Sequence, residues 1–167
     1  MEILSKKQLK ISSQFHNTLL MFSIPFQNKA NANFETKTMN KFEIKEGAST
    51  PYVLINYKKG VIKLIGSSTH SKPEEFYPTI LKQLKHYFEQ PQIATKVLID
   101  LDYYNDASFN YIFQLVELIV GLEKFNRTAL YLEWYCHPED KGIMADITTI
   151  SYHLQYPINV LTYELVG

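Results

Sequence analysis

Residues 95–124 read TKVLIDLDYYNDASFNYIFQLVELIVGLEK, and the period of the apolar residues changes within that stretch. From Thr95 to Tyr104 it is two: Val97, Ile99 and Leu101 share one face and Asp100 and Asp102 the other, as on a β-strand. Beyond it Phe109, Ile112, Phe113, Val116, Ile119 and Val120 recur at helical spacing, which predicts a helix to about Lys124. Only Asn105-Asp106-Ala107-Ser108 separates the two patterns. A strand feeding a helix through so short a loop is the repeating step of an α/β sheet.

The flanking sequence continues the alternation. Tyr52 to Tyr57 and Val61 to Ile65 are β-rich runs around Lys58-Lys59-Gly60, a hairpin pattern. Ser71 is placed as an N-cap, with Pro73 in the first turn and Glu74 closing a capping box. Phe76, Ile80, Leu84 and Phe88 then form a helical stripe, widened by Tyr77, Leu81 and Tyr87, that Gln90-Pro91 ends. Ala129 to Tyr135 reads as a strand, about Glu139 to Leu154 as a third helix, and Ile158 to Leu165 as a last strand after Tyr156-Pro157. The order ββαβαβαβ predicts an α/β fold: a mixed sheet of about five strands, parallel in its later part, with three helices packed on it.

Composition narrows the function classes. Lys plus Arg total 17 and Asp plus Glu total 17 in 167 residues, so the chain lacks the basic excess of a general nucleic-acid binder. At 46% hydrophobic and 20% charged it is neither disordered nor fibrous. The single cysteine, Cys136, excludes an intramolecular disulfide framework and a Cys-based zinc cluster, which suggests a reducing, cytoplasmic home. Residues 1–45 are polar and aperiodic and are expected to be a loose extension, with Met39 as an alternative start; residues 46–167 are expected to be one domain. Leu19 to Phe26 is too short to span a bilayer, and no direct membrane insertion is expected. Lys6, Lys7, Lys10 and Ala30-Asn31-Ala32 outline a secretory signal, but intervening polar residues interrupt it.

Val97 to Asp102 invites a catalytic reading. A hydrophobic strand ending in Asp-x-Asp resembles the nucleophile strand of haloacid-dehalogenase-type phosphatases, where one Asp attacks phosphorus, the other acts as general acid and Mg²⁺ sits between them. Here Tyr103-Tyr104 occupies the following turn, no Asp-Asp pair ends a later strand, and about 65 residues remain downstream. A strand with a polar face is the favoured reading. His16, His70, His86, His137 and His153 show no metal-ligand spacing, and neither GxGxxG nor GxxxxGK[ST] occurs, so no metal or cofactor is expected. At Asn105 to Ser108 the helix N-terminus favours an anion by about 0.3–1 kcal/mol when exposed. Simple N-capping by Asp106 or Ser108, stabilising by about 1 kcal/mol, is the favoured alternative.

Thr50-Pro51 before the hairpin, the strand from Gly60 to Gly66, Pro73-x-x-Phe76-Tyr77, Leu101-x-Tyr103-Tyr104-Asn105, Trp134-Tyr135 ahead of an acidic segment and Tyr156-Pro157 occur in a familiar order. Over roughly Thr50 to Tyr163 the chain resembles the SiaC-type regulatory phosphoproteins. The resemblance implies a fold similar to the STAS domain of anti-anti-sigma factors and a non-enzymatic role in cyclic-di-GMP signalling. It implies binding and activation of a membrane-associated diguanylate cyclase (a GGDEF protein), blocked by a Ser/Thr kinase and restored by a PP2C-type phosphatase. The acceptor of that family lies in an Asn-Thr-Ser-Ser segment at the start of the second helix.

The corresponding segment here is Asn105-Asp106-Ala107-Ser108, with Asp106 at the acceptor position. Three readings stand: a locked state resembling the phosphorylated one, transfer of the acceptor role to Ser108, or lost or altered regulation, which leads. The expected partner surface is this loop with Tyr104, Asn110, Gln114 and Glu117. The alternatives are a small Mg-dependent phosphohydrolase using Asp100 and Asp102, and a STAS-like module for another signalling partner such as an anti-sigma factor.

Overall fold

The structure, a computed structural model, describes residues 40–163, all within one compact unit, Thr38–Gly167. The strands are β1 (Lys41–Ile44), β2 (Tyr52–Asn56), β3 (Val61–Ser68), β4 (Ala94–Tyr104), β5 (Ala129–Cys136) and β6 (Asn159–Thr162). The helices are α1 (Pro73–Glu89), α2 (Asp106–Lys124) and α3 (Lys141–Leu154). The six strands form one sheet in sequence order. β1, β2 and β3 pair antiparallel, and β3 to β6 run parallel, each parallel step bridged by one helix. Right-handed crossovers that all step the same way put all three helices on one face of the sheet.

Among the described residues the helices lie on one face of the sheet, and the burial pattern follows from that cover. Along β4, Val97, Ile99 and Leu101 are buried while Leu98 and Asp100 are half-buried; along β5, Leu130, Leu132 and Trp134 are buried. Tyr77, Ile80 and Leu84 of α1, Ile112 and Val116 of α2, and Ile147 and Ile150 of α3 close over the buried rows. On the face opposite the helices the register lines up Tyr52, Ile65, Asp100, Tyr135 and Leu161 across five strands.

The sheet has one strand more than expected. β1 lies inside the stretch expected to be loose, so strand pairing is already present at Lys41–Ile44, before the expected boundary at residue 46. Its four residues alternate charged and apolar side chains too briefly to signal a strand, and only its pairing with β2 reveals it. The start of α1 also differs: Lys72 is the N-cap without a side-chain hydrogen bond and Pro73 opens the helix, so Ser71 and Glu74 form no capping box. α3 starts at Lys141, two residues later than read, because Asp140 accepts from the Ile143 N–H and sets its N-terminus. The basic cluster, the Leu19–Phe26 run, Met39 and the last two residues of the expected final strand lie outside the described residues.

Candidate functional site

The loop between β4 and α2 is built from a strand end and a capped helix start. Asn105, not Asp106 or Ser108, is the N-cap: its Oδ1 accepts from the Ser108 N–H at 2.8 Å and its carbonyl from the Phe109 N–H at 3.0 Å. Two further bonds tie Asn105 to the end of β3 and the segment just after it, N–H to the Ser68 carbonyl at 3.1 Å and Nδ2 to the His70 carbonyl at 3.2 Å. With the cap satisfied from within, Asp106 and Ala107 stand exposed on the first turn. An acidic side chain there is favoured by the helix dipole.

Ser108 is turned inward and has no exposed surface. Its hydroxyl lies against the Tyr77 phenol without a hydrogen bond of good geometry, while Tyr77 Oη pairs with Ser68 Oγ at 2.7 Å. Burial pushes the Tyr77 phenol up to about 12, partly offset by the Ser68 and Ser108 hydroxyls. The Tyr77 ring stacks on Tyr111 of α2 at 5.1 Å. The loop therefore rests on a buried hydroxyl cluster contributed by β3, α1 and α2.

The other expected surface residues divide. Asn110 and Gln114 are half-buried, and Asn110 Nδ2 donates to the Asp106 carbonyl at 3.3 Å. Glu117 is only 9% exposed and cannot serve as open partner surface, because α2 packs between α1 and α3. Tyr104 is half-buried and engaged within the protein: its hydroxyl donates to Asp146 Oδ2 of α3 at 3.2 Å and its ring stacks on Phe109 at 6.1 Å. Burial and the carboxylates of Asp146 and Asp140 hold its phenol well above the usual range.

Asp100 and Asp102 lie apart from this loop. Both project from within β4, which runs on to Tyr104, and Asp100 is in register with Ile65 and Tyr135 on the face opposite the helices. They border a cleft of about 260 Å³ with Tyr135, His137, Asp140 and Tyr163, and the Tyr163 hydroxyl donates to Asp100. A nucleophilic carboxylate of the phosphatase type needs the strand end, where a following loop and helix N-terminus receive the phosphoryl group; here that end is Tyr104. Among the described residues no three His, Cys, Asp or Glu side chains converge with metal-binding geometry. No helix of the described residues is long and apolar enough to cross a membrane.

Comparison with known proteins agrees with the fold. A family profile described as SiaC family regulatory phosphoprotein matches residues 44–163. A solved structure of SiaC of Pseudomonas aeruginosa superposes with a TM-score of 0.66 at 15% identity, covering 75% of this chain and 100% of that one. Apo-SiaC from the same organism gives 0.60 at 14% identity, over 75% and 100%. The structure of the diguanylate cyclase SiaD in complex with its activator SiaC from P. aeruginosa gives 0.66 at 15% identity, over 73% and 99%. No curated protein sequence matches the chain.

Proposed function

The chain belongs to the SiaC family of regulatory phosphoproteins, and from that premise we propose that it is a cytoplasmic, non-enzymatic regulator that binds and modulates a diguanylate cyclase. The observation that carries this reading is the family match over residues 44–163, joined to a fold shared with an activator seen in complex with its cyclase. The exposed first turn of α2, Asp106 and Ala107, with the half-buried Asn110 and Gln114, is the surface we assign to the partner.

In this reading the phosphoswitch is altered. Asp106 carries no hydroxyl for a Ser/Thr kinase, and Ser108 is buried beneath the first turn, which argues against a simple transfer of the acceptor role. A carboxylate brings one charge where a phosphate brings about −1.5 to −2, so we read the loop as fixed in one state and not as a full mimic. A Ser/Thr kinase and a PP2C-type phosphatase would then no longer cycle this position.

Affinity capture from the native lysate, with the bait's intact mass read in the same run, tests the proposal. Enrichment of a GGDEF-domain cyclase on an unphosphorylated bait is the expected result. Recovery of a phosphorylated bait would overturn the altered switch, and absence of any such cyclase would overturn the partner. In the complementary experiment, Asp106→Thr with the cognate kinase and ATP should gain one phosphate that the unmodified protein does not.

A further inference from the structure

The loop ahead of α2 is gripped from two sides. Asn105 ties it to the end of β3 through Ser68 and to the segment that follows through His70. On the other side Tyr104 reaches across 42 residues of sequence to Asp146 in α3, while its ring lies 21° from parallel on Phe109 of α2. One side chain thus touches the helix that follows the loop and the helix beside it. Asp106 and Ala107 on the loop and Ala145 next to Asp146 on α3 are exposed at these contacts.

We propose that Tyr104 is a positioning residue that couples the loop ahead of α2 to α3, so that the two elements present one jointly ordered binding surface. The inference deepens the binding-module reading and rests on it for its use, but the coupling itself is measured without a partner. A half-buried phenol held in its protonated form is a persistent donor, and a hydrogen bond to a carboxylate is stronger than one between neutral groups. Rigid loops lose less order on binding, so a tether of this kind raises affinity without touching the partner. Whatever contacts α3 would, through Asp146, also bias the loop.

Hydrogen exchange of the free protein decides the matter. Tyr104→Phe keeps the ring against Phe109 and removes only the hydroxyl. It should speed exchange of the Ser108 and Phe109 amides, which bond to Asn105, by about ten-fold, and lower Tm by a few degrees as the loss of one hydrogen bond does. Asp146→Ala should reproduce that local loss, Asp146→Asn should restore protection by keeping an acceptor, and the double variant Tyr104→Phe/Asp146→Ala should exchange no faster than either single one. Unchanged Ser108 exchange in Tyr104→Phe overturns the proposal, as does a double variant whose exchange rises by the product of the two single effects. Failure to capture a cyclase would leave these rates untouched, so the two readings fail separately.

Discussion

At the scale of single residues, the loop works because Asn105 does three jobs that a sequence assigns to no one position. Asn105→Ala removes the N-cap and the bond to His70, and should lower stability by about 1 kcal/mol in urea unfolding. Ser108→Ala should be neutral or stabilising by up to about 1 kcal/mol, since it removes a buried hydroxyl that lacks a well-formed hydrogen bond. Ser108→Asp, which buries a charge under the same turn, should unfold the first turn of α2 or the whole domain. The sequence pointed to the right loop but could not say which residue capped it: Asn, Asp and Ser have similar N-cap preferences, and the choice rests on a shift of the helix start by one residue from Asp106 or three from Ser108. Burial of Ser108 depends on Tyr77, thirty-one positions earlier, and has no local signature. Glu117 was legible in principle, because the run from Leu115 to Leu122 is apolar on all sides, the mark of a helix flanked by neighbours.

At the scale of elements, strong periods translated directly. The strand–loop–helix read from residues 95–124 is β4 and α2, with the strand starting one residue and the helix three residues earlier than read, because alternation and helical spacing each persist for ten residues or more. The hairpin between β2 and β3 also followed from its turn. Gly60 has a φ of +61°, and a Cβ there would approach the Ala94 carbonyl oxygen within 2.4 Å. Gly60→Ala should therefore cost about 1–3 kcal/mol, read as a lower urea midpoint at unchanged m-value, since both strain and a backbone clash oppose it. What failed were short or weakly marked features. β1 has four residues, and the α1 cap fell to Lys72 because Pro73, with no N–H to satisfy, starts a helix without side-chain help.

At the scale of the whole molecule, the helical layer buries aromatic hydroxyls against the sheet, and that makes the fold sensitive to alkali. Tyr77 has no exposed surface, and its phenol is pushed from 10.0 up to about 12 by burial; those of Tyr104 and Tyr156 are displaced in the same direction. Below pH 10 each phenol is protonated in both the folded and the unfolded chain, and its contribution to stability is fully present. Between pH 10 and 12 the unfolded chain releases the Tyr77 proton while the folded one retains it, so stability falls with rising pH, and above 12 that contribution is gone. Holding the proton over that interval corresponds to about 3 kcal/mol for this side chain alone. Thermal melts should show Tm nearly flat to pH 10 and dropping steeply beyond it. Tyr77→Phe gives up the Ser68 hydrogen bond, about 1 kcal/mol at neutral pH, but it also removes one titrating proton, so its melting curve should descend less steeply and meet that of the parent protein in alkali.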